Sequence, residues 1–290
     1  MSIRQGSVPG RLVAVGDSFS CGVGVGVRIS VAETWVAVLA AALDLELELL
    51  AAPGLASGDV LHRQVPVATA RPGEVATLLV GLNDIVRAAF EPEATCANLD
   101  AIVGELCAAY PVVLVARLHD AVAQLPLPRA MRRRYVRRIA AVNAGLDVAI
   151  AAHRRALLLD LATVPALGER CAWAVDRIHP SRYGHHMMAD AALATLRKGG
   201  VAAACEARSH TAVLPEPPPT LLDEIRWFVG FGGPWLVRRL AKVVFGGSTN
   251  TERLNRGGLV DLDTGELVDP DTGEPFRGRG PSRGKQLVHR

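Results

Sequence analysis

Arg11-Leu-Val-Ala-Val-Gly-Asp-Ser-Phe-Ser-Cys-Gly-Val-Gly-Val-Gly26 is an apolar run that breaks into Gly-Asp-Ser and then into three glycines spaced two apart. A strand buried on both faces reads as a continuous apolar run. Residues 12–15 are therefore expected to form a strand that ends in a Gly-rich turn. Glycine lets a backbone approach an anion closely, and it equally lets a side chain stand clear of a tight bend. The stretch predicts either a phosphate cradle or the perch of a nucleophile.

Four more short apolar runs, at 45–50, 75–80, 112–116 and 156–161, read as strands. Between and after them, helical patterns fall at about 31–43, 58–68, 93–109, 129–153 and 181–198, the last opening on Ser181 as a cap. This alternation predicts an α/β fold, a three-layer α/β/α sandwich around a five-stranded parallel sheet. Ligands of such sheets bind at the carboxyl ends of the strands, which makes those ends the places to look for chemistry. They are residues 16–18, 51–54, 81–84 and 117–120, and the segment after 161 that leads to Asp176-Arg-Ile-His179.

With 290 residues, half of them apolar, the chain can bury a full core. The expected organisation is an α/β domain over 1–210, a Pro-rich linker over 211–219, an appended helical segment over 220–245 and a disordered tail over 246–290. The appended segment is expected to be broken at Gly230 to Pro234, giving a helical hairpin or pair. It mixes Trp227, Phe228, Phe231 and Trp235 with Arg238, Arg239 and Lys242. Its apolar faces are expected to pack on the body or on a second subunit, with contact to a membrane surface as the lesser alternative. In the tail, Asp263-Thr-Gly-Glu recurs as Asp271-Thr-Gly-Glu. An aspartic protease needs its two carboxylates from opposite halves of a large site, so these two read as turns.

The net charge of +3 gives no reason to expect nucleic acid as a partner. The run Arg129-Ala-Met-Arg-Arg-Arg-Tyr-Val-Arg-Arg138 is read as a solvated helix face. The five cysteines are odd in number and none stands in a zinc-ligand spacing, which suits reduced thiols in a cytoplasm. The first ten residues hold no apolar signal core, and no stretch reaches the roughly 18 apolar residues of a membrane span.

The phosphate reading fails on spacing. A dinucleotide site wants G-x-G-x-x-G, and the third position here is Val27 or Ile29; nor does a Gly-Lys-Ser or Gly-Lys-Thr follow. The nucleophile reading asks for a base, a group to orient it, and donors for an oxyanion. His179 and Asp176 can supply the first two. Asn83, with the backbone N–H groups of Ser18 and Gly54, can supply the donors.

These residues resemble the SGNH, or GDSL, serine hydrolases over about 11–196. Gly16-Asp17-Ser18-Phe19 with Gly22 matches the first block, with Phe where the family's name has Leu. Gly54, in Ala51-Ala-Pro-Gly54, fits the second block, although the Asn that often opens it is Leu49 here. Gly81-Leu-Asn83-Asp84 matches the third, and Asp176-Arg-Ile-His179, followed by Pro and Tyr-Gly-His, matches the fifth. The resemblance implies a flavodoxin-like sheet and hydrolysis of a carboxylic ester, of a small or lipid-like substrate, through an acyl-enzyme. It implies Ser18 as nucleophile, His179 as general base and then acid, Asp176 as its orienter, and Ser18, Gly54 and Asn83 as oxyanion donors. It implies no cofactor and no metal. The alternatives are acyl transfer to a specific alcohol and, from another class, a non-catalytic binding or scaffold protein.

Around this set, His119, Asp120 and Arg87 are candidate substrate contacts. Asp17 and Asp84 are expected to organise their turns, Cys21 to be buried filler, and His185-His186 to be helix surface or a packing pair.

Overall fold

Strand β1 (Arg11–Gly16) is flanked on one side by β2 (Glu46–Leu49) and on the other by β3 (Val75–Leu79), followed outward by β4 (Val112–Arg117) and β5 (Ala156–Asp160). All neighbours are parallel, in the order β2-β1-β3-β4-β5, with Leu12 opposite Leu47 and Val75, Ala76 opposite Val113, and Val115 opposite Leu158. This is the flavodoxin-like order, and the five strands are those expected from the apolar runs. The computed structural model describes residues 10–87, 89–120, 122–201 and 213–235, with the short antiparallel pair Leu259–Val260 and Leu267–Val268.

The helices are α1 (Ser18–Cys21), α2 (Trp35–Ala42), α3 (Ser57–Asp59), α4 (Val65–Ala70), α5 (Leu82–Val86), α6 (Pro92–Ala109), α7 (Arg129–Ala152), α8 (Arg182–Lys198) and α9 (Leu221–Trp227). Helices α2 and α8 pack together over one face of the sheet, and α4, α6 and α7 cover the other. The strand interiors are accordingly sealed: Leu12 to Val15 on β1 and Val113 to Val115 on β4 have no exposed surface. The edge strands are less covered: Leu157 and Leu158 of β5 are part-exposed, and β2 alternates Glu with Leu, its Glu48 pairing with Arg11 (2.6 Å) and Arg71 (3.6 Å), a charged edge that discourages pairing with another sheet.

Two helices depart from the expected pattern for one physical reason. The segment foreseen at 58–68 runs from Ser57 to Ala70 and widens into a π turn at Val60–Gln64; the one foreseen to break at Gly230 continues through a π turn at Phe228–Gly232 and stays helical to Trp235. Each π turn ends two residues before a proline, Pro66 or Pro234. A proline has no N–H to give the carbonyl four residues back. The preceding residue instead reaches five back, Val65 N–H to the Val60 carbonyl and Gly233 N–H to that of Phe228, so the helix widens without stopping. The helix foreseen at 31–43 is a 3-10 turn, Val31–Glu33, and then α2. Helix α8 is capped as foreseen, Ser181 Oγ accepting from Gly184 N–H at 3.1 Å.

The arginine run lies on the outer face of α7, except that Arg138 turns inward to donate to the carbonyls of Ile85 and Arg87 and covers the Phe90 ring. Cys21, Cys96, Cys107 and Cys171 are free thiols, and no helix among the described residues is long and apolar enough to cross a membrane. Residues 213–220 form the irregular link to α9. The helical expectation for 236–245, the tail apart from its strand pair, and Cys205 lie outside the described residues.

Candidate active site

The order of the sheet reverses direction between β1 and β3, and the crevice at such a point is where open α/β sheets bind ligands. Both of its walls carry candidate residues. From β1 the chain passes Asp17, which caps α1 by accepting from Phe19 N–H (3.1 Å), so Ser18 is the first residue of a four-residue helix. Gly22 closes that helix in the left-handed conformation, φ 73°, donating to the Ser18 carbonyl at 3.0 Å. Ser18 Oγ lies 2.9 Å from His179 Nε2, and His179 Nδ1 lies 2.5 Å from Asp176 Oδ2.

Asp176 is 3% exposed, and its other oxygen accepts from the N–H groups of Ile178 and His179, both at 3.0 Å. One short turn thus supplies an imidazole, the carboxylate that orients it, and the donors that hold the carboxylate. Burial works against a charge on either partner. Each nevertheless favours the other's charged form: the Asp176 carboxylate raises the His179 pKa overall, and His179 with the two N–H groups lowers that of Asp176. Turning this corner puts Arg177 at φ 61°, a left-handed conformation that costs a non-glycine residue about 1–2 kcal/mol.

The other wall is α5, which follows β3. Asn83 Nδ2 donates to the Leu55 carbonyl (3.0 Å) and to Asp17 Oδ2 (3.3 Å), so the amide bridges the ends of β1 and β3 and the turn after β2. Gly54, one residue before Leu55, has φ 76° and open space where a side chain would stand. Asp84 fastens this turn from below, accepting from Ser57 N–H (2.9 Å) and Ser57 Oγ (2.7 Å). Among the described residues, neither the Ser18 N–H nor the Gly54 N–H is spent on a protein acceptor. Burial pushes the Asp17 carboxyl up to about 7, against the lowering pull of Phe19 N–H and His179.

A hydroxyl on a buried imidazole–carboxylate pair, beside free N–H groups, is equipped for attack on a carbonyl carbon. Residues 14–187, more than half of the chain, match the model of the GDSL-like lipase/acylhydrolase family. The chain belongs to this family. Among solved structures it is similar to the psychrotrophic esterase EstA from Pseudoalteromonas sp., with 18% identity, 66% of this chain and 98% of that one covered, and a TM-score of 0.52. The α/β hydrolase enzyme LAE5 from the metagenome of Lake Arreo, Spain, is 21% identical, with 66% and 96% covered and a TM-score of 0.53. A lipolytic G-D-S-L family member from Veillonella parvula is 16% identical, with 65% and 98% covered and a TM-score of 0.51. At these identities the likeness is one of fold. No curated protein matches the chain.

The remaining candidates take different places in this GDSL-like chain. His119 is stacked on Trp173 (ring centroids 4.5 Å apart) and lies 5.5 Å from the Phe19 ring. Burial lowers its pKa to about 4, which keeps it neutral, and its Nε2 has no partner among the described residues. It lines a cavity of about 190 Å³ with Leu161, Leu167, Trp173 and Arg177. Asp120 lines the same cavity but pairs with Arg132 at 3.2 Å. Arg87 turns to Asp59 (3.4 Å) on the surface, and none of its described contacts reaches Ser18 or His179. A larger groove of about 840 Å³ runs between β5 and α8 and holds none of these residues. Burial pushes the Cys21 thiol up to about 11, the opposite of an activated nucleophile. His185 is core and not helix surface: it is buried and accepts from Trp35 N–H at the start of α2.

Three supports of this acylhydrolase-family site were not foreseen. Gln64, in the first π turn, pairs with both backbone groups of Gly16 (2.7 and 2.9 Å), directly before Asp17. Asn143 on α7 does the same to Leu118 (2.9 and 2.8 Å), directly before His119. Gly24 lies against the His179 ring so closely that a Cβ there would overlap Nδ1. The available signal was a lone buried-side amide between apolar helix residues, in Val60 to Val65 and in Val142 to Leu146.

Proposed function

We propose that the protein is a serine esterase that cleaves a carboxylic ester through an acyl-enzyme. The observation that carries this reading is the continuous chain from Ser18 Oγ through His179 to Asp176, at 2.9 and 2.5 Å. His179 Nε2 takes the Ser18 proton as Oγ bonds to the ester carbon, and Asp176 holds the imidazole in the tautomer that leaves Nε2 free to accept. The charge that develops on the carbonyl oxygen is met by the Ser18 and Gly54 N–H groups and by Asn83 Nδ2, which exchanges its longer bond, to Asp17 Oδ2 at 3.3 Å, for the oxyanion. His179 then returns the proton to the leaving alkoxide. A water, deprotonated in turn by His179, attacks the acyl-Ser18 carbon; the bond to Ser18 Oγ breaks, His179 returns the proton to Oγ, and the acid leaves.

The test is labelling with a fluorophosphonate probe, wild type beside Ser18→Ala. Labelling that disappears with Ser18 is expected, together with Ser18-dependent hydrolysis of p-nitrophenyl esters. Equal labelling or equal hydrolysis by the two proteins would reject the reading.

A further inference from the structure

The C-terminal segment does not hang free of the site. Glu224, on α9, is only 16% exposed in its side chain and accepts from Arg177 Nε (3.0 Å) and Nη2 (2.6 Å) and from Arg170 Nη2 (3.0 Å). Both arginines work on the turn that carries His179. Arg177 is its left-handed corner residue and also donates to the Gln124 carbonyl (3.0 Å). Arg170 donates to the carbonyls of Trp173 (2.7 Å) and Ala174 (2.9 Å), where the turn begins, and Ala174 N–H in turn bonds the His179 carbonyl (2.8 Å). An isolated surface ion pair would contribute little. Here one carboxylate joins two guanidinium groups that are themselves bonded to the backbone of a single turn.

The same segment also reaches His179 from the opposite side. Trp227 Nε1 donates to the Val25 carbonyl (2.6 Å), and the Phe231 ring lies where a side chain on Gly26 would stand. Gly24, next along, backs the imidazole. Residues 220–231 therefore brace both the turn that carries the imidazole and the turn against which it rests. The spacing of Gly24 and Gly26 acquires a meaning here: one glycine admits the His179 ring, the other the Phe231 ring.

We infer that Glu224 is a positioning residue for His179, clamping its turn through Arg177 and Arg170, and that residues 220–235 are part of the active-site scaffold. This rests on the esterase reading, in which His179 is the base. A corner held at positive φ by a clamp relaxes when the clamp is removed, and the imidazole then loses its registry with Ser18 and Asp176. The titratable groups that face His179 are Asp176 on its own turn, Asp17 after β1 and His185 on α8. Of these, only Asp176 belongs to the clamped turn.

The test uses the full chain carrying Glu224→Gln, Arg177→Gly and both together, with active sites counted by fluorophosphonate titration so that unfolded protein does not enter the rate. Glu224→Gln is expected to lower kcat per titrated site about tenfold, since small displacements of a catalytic group are costly. It should also move the acid limb of kcat/KM to lower pH, because a slackened Asp176 no longer raises His179. Adding Arg177→Gly should recover part of the loss, since glycine takes positive φ without the steric cost that the clamp offsets in arginine. If Glu224→Gln alone does not fold, Glu224→Asp, which keeps the charge on a shorter reach, carries the same comparison. A variant with unchanged kcat and acid limb, or one that loses kcat with the acid limb fixed and no recovery in the double variant, would overturn the inference. Loss of Ser18-dependent titration in the wild type would instead strike the esterase reading itself.

Discussion

Ser18 and His179 meet at 2.9 Å but are held by different physics. Ser18 follows a central strand directly: Asp17 N–H bonds the Leu79 carbonyl of β3 (3.2 Å), Gln64 bonds Gly16, and both belong to the layer of sheet and helix around the core. His179 is separated from β5 by three 3-10 turns, Leu161–Thr163, Pro165–Gly168 and Arg170–Ala172, and its turn is tied by ion pairs and by a segment from far downstream. The position of the hydroxyl is thus a property of the sheet. The position of the imidazole is a property of side chains.

The largest effect should come from breaking the bridge on the strand side. Asn83 spans the ends of β1 and β3 and is an oxyanion donor in the proposed esterase reading; loss of a single such donor typically costs about 2.7–4 kcal/mol of transition-state stabilisation. Asn83→Ala is therefore expected to lower kcat by roughly 10²–10³ with KM little changed. Steady-state kinetics on a p-nitrophenyl ester measures it, and an unchanged kcat would remove Asn83 from the site. On the imidazole side, Gly24→Ala sharpens the contrast. Its Cβ meets a ring that Ser18 and Asp176 already hold, so the ring or the short hairpin at Val23–Gly24 and Val27–Arg28 must shift. A fall in kcat of about 10- to 100-fold is expected, with the melting temperature nearly unchanged, because Gly24, although buried, is not at positive φ and the atoms nearest its added Cβ all belong to the His179 ring. A variant that melts early but turns over normally would show that the glycine serves folding and not the ring.

The same division decides what could be read before the structure. The strands were legible because a parallel sheet covered on both faces favours apolar runs, and β1, β3 and β4 have almost no exposed side chain, whereas the edge strand β2 keeps leucine only at alternate positions. Ser18 and Asn83 were legible as candidates because they stand just beyond strand ends, and Asp176 and His179 because a nucleophilic serine asks for a base and a group to orient it. Gln64 and Asn143 were not, since each pairs with peptide groups, and a peptide group leaves no mark on the identity of Gly16 or Leu118. Nor was Glu224: its partners Arg170 and Arg177 are distant in sequence, and an Asp-Glu pair at the start of a helix is usually read as a dipole effect. The continuation of the last helix past Gly230 was hidden because glycine and proline are read as breaks, whereas a π turn carries the backbone bonding past the missing N–H of Pro234.

The amide clamps allow the finest comparison, because the same device holds the backbone beside the hydroxyl and beside His119. Replacing either amide by leucine, similar in volume but without polar atoms, leaves a buried N–H without an acceptor, at Gly16 or at Leu118 respectively. An orphaned buried donor costs about 1–3 kcal/mol, and for a domain of this size each kcal/mol lowers the melting temperature by roughly 2–4 °C. Gln64→Leu and Asn143→Leu are therefore expected to melt similarly early in a thermal scan. They should part in kinetics: the Gly16 peptide leads directly into Asp17 and Ser18, so the Gln64 variant should lose several-fold in kcat, while the Asn143 variant, whose clamp lies beside His119, should keep it. Equal losses would mean that the imidazole-side wall, and not the strand end alone, fixes the reacting hydroxyl.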